Sequence, residues 1–195
     1  DSNCFWKYSG ISWSADGSKL AVGRYRYDSV SGTHIGNVHI LNSNSFRILE
    51  TFDVPSKVME VLYSPDGVYI AAGTDTSVMV LNPAYNNLVS TLSPCRNAQW
   101  GPDNSITCDS SLWRNIFNQP NQKSLLGSRP TWSWGTHETR IVTVFDESVV
   151  LYNKFGTKED TFRVENAMYA SVSKDGKVVL VVTGRLSRHF IKIFF

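Results

Sequence analysis

Tyr63-Ser64-Pro65-Asp66-Gly67-Val68-Tyr69-Ile70-Ala71-Ala72-Gly73 ends one apolar run in a small polar turn and restarts as a second. The same punctuation recurs at Trp13-Ser14-Ala15-Asp16-Gly17, Trp100-Gly101-Pro102-Asp103-Asn104, Trp134-Gly135-Thr136-His137-Glu138 and Val172-Ser173-Lys174-Asp175-Gly176. The interval is about 34 to 50 residues, the range in which each repeat is one supersecondary unit that buries its apolar face against a neighbour.

Outward from that turn, each unit reads as a strand before it, a second after it, a third after a tighter turn and usually a fourth. The first unit gives Gly10 to Ser14, Lys19 to Gly23, Asn37 to Leu41 and Phe46 to Phe52; the second gives Val58 to Ser64, Tyr69 to Gly73, Ser77 to Leu81 and Leu88 to Leu92. The third is poorer, with Ala98 to Gly101, Ser105 to Cys108, Leu112 to Phe117 and Lys123 to Leu126. Thr131 to Gly135, Arg140 to Phe145, Ser148 to Tyr152 and Asp160 to Val164 make the fourth, and the fifth stops after Met168 to Ser173, Val178 to Thr183 and Phe190 to Phe194. The repeats span residues 8–54, 55–94, 95–129, 130–165 and 166–195 of a single domain, whole or partial. Gly, Pro, Ser and Asn interrupt the chain every few residues, and no stretch holds a 3.6-residue period.

The second strands Lys19–Gly23, Tyr69–Gly73 and Val178–Val182 are continuous apolar runs, as expected of strands covered on both faces. Small residues at Ala21, Ala71, Ala72 and Gly73 would let neighbouring sheets approach closely.

The 195 residues, 42% hydrophobic and 12% aromatic, supply one sizeable core, so disorder is not expected. A formal charge of +2 with interspersed acids and bases offers no footprint for nucleic acid or an anionic membrane. No run reaches the roughly 18 to 20 apolar residues of a membrane span, and no signal segment opens the chain. Cys4, Cys95 and Cys108 lack a CxxC spacing, which predicts buried or free thiols and, with no Asn-x-Ser/Thr sequon, a reducing, cytoplasmic setting. The start at Asp1 and the end at Phe194-Phe195 read as an excised part of something longer.

These short, evenly spaced strands resemble the WD40 family of β-propellers, in which four-stranded antiparallel blades pack around a channel. Ser64 to Gly67 matches the family's first hairpin turn, with Ser14 to Gly17 and Ser173 to Gly176 as variants. Asp75, Asp109 and Asp146 stand in the tight turn before the third strand. Where the family ends that strand in Trp-Asp, this chain has Leu41-Asn42, Leu81-Asn82 and Tyr152-Asn153, and its Gly-His dipeptide is absent, so the family's hydrogen-bond tetrad is not implied. Leu20-Ala21-Val22-Gly23 and Ile70-Ala71-Ala72-Gly73 also look like the tandem propellers of the echinoderm-type microtubule-associated proteins, which would imply a cytoskeletal role. The expected fold is an all-β propeller of about five blades. It is either a closed small ring or a run from a larger, seven-bladed one, in which case two apolar sheet faces would be exposed and a partner would complete the ring.

Catalytic signals are lacking. The first strands, which would ring the channel, carry one carboxylate, Glu60, whereas glycoside hydrolysis needs a pair. His34, His39, His137 and His189 lie in separate places without ligand spacing, and no nucleophile elbow or phosphate loop occurs. No cofactor or metal is implied.

The sequence-level reading is therefore a non-catalytic scaffold for protein partners. Its contact residues are sought in the long insertion Arg24 to His34, with Arg24, Tyr25, Arg26 and Tyr27, and at the equivalent place in the fifth unit, with Arg185, Arg188 and His189. Arg and Tyr dominate binding hot spots. The same alternation also suits a longer hairpin, and both readings stay open. Asn118 to Lys123, in the irregular third unit, is read as a surface loop or a partner-contacting edge. The alternative is a glycan- or small-ligand-binding propeller using Trp13, Trp100, Trp132 and Trp134; a hydrolase built on Glu60 stands third.

Overall fold

The structure is a computed structural model that describes residues 5–101, 103–118, 120–125, 128–132, 140–173, 177, 179–185 and 188–194. Among them every regular element is a β-strand. The chain divides into two compact units, Asp1–Trp100 with Ile116–Pro120, and Gly101–Asn115 with Asn121–Phe195.

The first unit holds two four-stranded antiparallel sheets. One pairs β1 (Lys7–Trp13), β2 (Lys19–Asp28), β3 (Thr33–Asn42) and β4 (Ile48–Val54) in chain order; the other pairs β5 (Glu60–Tyr63), β6 (Ile70–Gly73), β7 (Val78–Asn82) and β8 (Asn87–Leu92) likewise. The short β9 (Gln99–Trp100) follows. Tyr69 stacks on Phe117, with ring centroids 4.1 Å apart, so Phe117 serves the first unit's packing rather than the expected third strand.

In the second unit β10 (Ile106–Cys108), β11 (Ser111–Arg114) and β12 (Asn121–Ser124) pair antiparallel. They are followed by the four-stranded sheet of β13 (Ser128–Trp132), β14 (Arg140–Phe145), β15 (Ser148–Asn153) and β16 (Lys158–Arg163). The last sheet has three strands, β17 (Ala167–Val172), β18 (Val179–Arg185) and β19 (Arg188–Phe194), matching the missing outer strand expected of the fifth repeat.

The turn that defines the repeat is held by one wiring scheme. Ser14 Oγ donates to Asp16 Oδ1 (2.6 Å) and accepts from the Lys19 N–H (2.9 Å), while Gly17 N–H donates to the Ser14 carbonyl (2.9 Å). Ser64, Asp66, Gly67 and Tyr69 repeat those bonds at 2.5, 2.9 and 2.9 Å. Gly17 and Gly67 sit at φ +70° and +72°, a left-handed conformation that favours glycine. The asparagines at the family's Trp-Asp position also act locally. Asn42 Oδ1 accepts from the Asn44 and Ser45 N–H groups, Asn82 Oδ1 from Ala84, and Asn153 Oδ1 from Phe155 and Thr157, closing the turn into the fourth strand each time.

The two sheets of the first unit pack through a glycine patch. Gly10 and Gly23 are cross-strand partners, and Gly36 lies two residues from Val38 on the same face. A Cβ on Gly23 would stand 2.6 Å from Val61 and 2.7 Å from Val58; on Gly10 it would meet the Val61 backbone nitrogen at 2.8 Å. Val38, Ile40, Phe52 and Val54 of the first sheet join Val58, Val61, Ile70 and Leu81 in one buried cluster. In the second unit Val142, Val149, Leu151, Ala170, Val179 and Val181 form the corresponding layer.

Two expectations need correction. All four residues of β6 are buried, as a strand covered on both faces requires, but β2 and β18 are less fully covered: beside the buried Leu20, Val22 is half-buried, and in β18 Leu180 is exposed. Cys95 and Cys108 are fully buried and each is disulfide-bonded rather than free, a state that spacing along the chain does not report. Disulfides persist in oxidising compartments, so cysteine usage does not argue for a reducing one.

Gly10→Ala forces its methyl group against backbone that has little room to move. The expected loss is about 1–3 kcal/mol of stability, read from urea unfolding of the full chain.

Candidate functional site

β2 and β3 are ten residues long, against four and five for β6 and β7. Their ladder continues past β1 and β4 through Arg26–Ile35, Tyr27–His34 and Asp28–Thr33. Arg24 to His34 therefore forms an extended hairpin, whose Arg and Tyr side chains remain candidates for partner contact. Gly32 N–H donates to the Asp28 carbonyl (2.9 Å), and the Asp28 carboxylate accepts from Ser31 Oγ (2.7 Å) and Ser31 N–H (3.3 Å). The Ser31 hydroxyl is the main reason that the Asp28 carboxyl titrates below its usual value.

Because successive strand side chains point to opposite faces, the Arg-Tyr alternation sorts itself. Arg24 and Arg26 share one face and both stack on Trp6, with guanidinium carbons 4.0 and 5.1 Å from the ring centroid. Tyr25 and Tyr27 take the other face and meet the His34 ring edge-on at 5.8 and 5.5 Å, while Lys57 Nζ lies 4.8 Å from the Tyr25 ring. Arg24 Nη2 donates to Asn37 Oδ1 (3.3 Å), and Asn37 Nδ2 donates to Asp53 Oδ1 (2.5 Å). Among the described residues neither Arg24 nor Arg26 pairs with a carboxylate. His39, next along this face, shares a hydrogen bond of 2.8 Å between Nδ1 and Thr51 Oγ1, and its Nε2 is buried without a partner.

The lower part of the same face is apolar and open. Tyr8, Ile11, Trp13 and Ile48 are 70%, 66%, 58% and 56% exposed, around the half-buried Val22 and Leu41. The register places them together: Tyr8 faces Arg24, Ile11 faces Val22, Trp13 faces Leu20, and Leu41 faces Ile48. In the second unit, Tyr169, Leu180, Ile191 and Ile193 form an exposed apolar face on the terminal sheet.

Other proposed residues are placed less favourably for a site. Trp100 is buried and its Nε1–H donates to the Leu62 carbonyl (3.0 Å), so it serves the core; of the proposed tryptophans, Trp13 is the exposed one among the described residues. Trp132, Arg185, Arg188 and His189 lie outside the described side chains, and Trp134 lies outside the described residues. The Arg185–Arg188 and Gly184–His189 rungs do show that this stretch closes the β18–β19 hairpin. Glu60 Oε1 accepts from the Ala98 N–H at 2.6 Å, a strut within the first unit. Among the described residues no group of three His, Cys, Asp or Glu is arranged to hold a metal ion.

Trp6, Asn37, Asp53 and Lys57 were not singled out by sequence reasoning, and His39 was weighed only as a metal ligand. The signal that finds them is register: once Arg24 is aligned with Tyr8 and Asn37, Asp53 falls on the same rung and Trp6 falls two residues along β1's line.

No known family profile matches the sequence, and no curated protein does so. Solved structures do match. The β-propeller domain of Cps50 (Swd1) from Myceliophteria thermophila aligns at 12% identity with a TM-score of 0.63, over 92% of this chain and 65% of that one. The β-propeller domain of the trilobed protease from Pyrococcus furiosus, described as having an open velcro topology, aligns at 13% identity and 0.63, over 97% and 68%. The fold is that of a β-propeller. Hydrazine synthase from Kuenenia stuttgartiensis also aligns, at 14% identity and 0.61, over 90% of this chain and 55% of that one. The chain thus spans about half to two thirds of the length of these structures.

His39 links this site to pH. Burial disfavours its charged form first and the Arg24 charge second, with Asp53 opposing them, so its folded pKa lies below the free value of 6.5. The unfolded chain then binds the proton more readily. The His39 contribution is complete above about pH 6.5 and is lost as pH falls below that value and through the lower folded pKa. Urea unfolding at pH 7.5 and 5.5 should show a smaller acid loss of stability in His39→Gln than in the unmodified chain.

Proposed function

We propose that this propeller is a non-catalytic scaffold that binds protein partners. The observation that carries the reading is the open apolar face of the first sheet, Tyr8, Ile11, Trp13 and Ile48. Single exposed apolar side chains are ordinary on a protein surface, but a contiguous patch rimmed by polar groups marks a protein interface. The sequence pattern supports this, since β2 and β18 are written as strands covered on both faces while Val22 is half-buried and Leu180 exposed. The occupant that suits such a face is a protein sheet with an apolar face of its own, packed about 10 Å away as sheets in sandwiches are.

The single inner-strand carboxylate, Glu60, accepts a structural hydrogen bond, which supports a non-catalytic role over the hydrolase reading. The glycan-binding alternative rests on Trp13. WD-type membership, the echinoderm-type likeness and a cytoplasmic or cytoskeletal setting rest on turn and strand wording at Ser64 to Gly67 and Leu20 to Gly23.

The test is a binary complex rebuilt from purified components after the bound protein has been identified. Ile11→Asp is expected to weaken that complex by about tenfold or more, a usual effect at the centre of an interface. Tyr85→Asp, in the exposed turn between β7 and β8, should leave it unchanged. Equal binding by both variants, or a glycan ligand lost with Trp13→Ala at unchanged fold, would overturn the reading.

A further inference from the structure

The polar end of the first sheet carries a second, chemically distinct feature. Trp6, Arg24 and Arg26 form a stack in which two guanidinium groups share one indole. An indole face attracts a cation, and Arg is the residue best suited to lie flat on it. Two cations on one ring also repel each other. In a self-sufficient clasp, carboxylates would be expected beside them. The nearby acids hydrogen-bond other groups: Asp53 Oδ1 takes the Asn37 amide and Asp28 takes Ser31, with the Arg26 charge acting on Asp28 through space but forming no ion pair with it.

The stack is also held in place. The Nε atoms of both arginines are buried without partners, and Arg24 is further fixed through Asn37 to Asp53. Arg24 Nη1 and the two Arg26 Nη atoms are what remain for a ligand. Tyr8, on the rung of Arg24 and largely exposed, adds a hydroxyl beside them. Paired arginines held in a fixed fork match a doubly charged tetrahedral oxyanion, whose charge offsets theirs.

We propose that Arg24 and Arg26, stacked on Trp6 and flanked by Tyr8, form a receptor for a phosphate monoester carried by a protein partner. The identity of the carrier rests on the protein-binding reading above; the phosphate site itself does not.

The experiment titrates the full chain at low ionic strength with inorganic phosphate, observing the Trp6 indole N–H and the arginine Nε–H resonances by NMR. A short phosphoserine peptide, its unphosphorylated twin and a glutamate-substituted twin follow. The expected result is saturable shifts at Trp6, Arg24 and Arg26, tighter binding of the phosphopeptide than of either twin, and about tenfold weaker binding in Arg24→Gln/Arg26→Gln. Absence of saturable shifts in the unmodified chain overturns the proposal without relying on any variant. So does equal binding of the three peptides. Trp6→Leu, which removes the platform but neither charge, should weaken phosphate binding; undiminished affinity there would assign the effect to diffuse surface charge and overturn the built site. Phosphate binding with an unaltered response of the partner complex to Ile11→Asp separates this result from the scaffold reading.

Discussion

The first unit depends on how closely its two sheets approach. Gly10, Gly23 and Gly36 leave a shallow floor into which Val58 and Val61 descend, and a single methyl group on that floor would stand under 3 Å from its neighbours. That contact decides which face of the first sheet is core. Val38, Ile40, Phe52 and Val54 follow the glycines inward, and the alternation of strand side chains then sends Ile11, Val22, Arg24, Asn37 and His39 to the other side. The open apolar patch and the arginine stack are two ends of one face whose direction was set by the packing on its reverse.

Much of the fold was legible in the sequence because its devices are local. The Ser-x-Asp-Gly turn is closed by side chains within five residues of one another, so its recurrence in the text is a recurrence of hydrogen bonds. The three-stranded last sheet could be read the same way, by counting runs. What could not be read was anything that depends on register or on distant approach. Whether Arg24 to His34 is a loop or a hairpin turns on the Asp28 to Gly32 closure, and alternating Arg and Tyr serve either case. The meeting of Trp6 with Arg24 and Arg26 needs the β1–β2 alignment, which includes a bulge between Tyr8 and Gly10. The disulfide-bonded state of Cys95 and of Cys108 left no trace in cysteine spacing.

The departures from the familiar repeat wording have physical substitutes. Asn42, Asn82 and Asn153 replace the expected Asp and accept turn N–H groups with an amide oxygen, so these turns close without adding charge to the ends of the third strands. Glu60 acts as a bracket to Ala98 rather than as a reactive group. Trp100, buried and bonded to Leu62, shows how an inner-strand tryptophan is consumed by packing, while Trp13 in the first repeat has no sheet over it within its own unit.

The self-contained wiring of the repeat turn bears on how the chain reaches its fold. Ser14 to Lys19 and Ser64 to Tyr69 close hairpins through contacts only five residues apart, and each sheet is paired strictly in chain order. Loop closure over such short distances costs little entropy, so each meander can form from its own sequence before any sheet meets the next. What joins the two sheets of the first unit, each already closed locally, is the seating of Val58 and Val61 on the glycine floor.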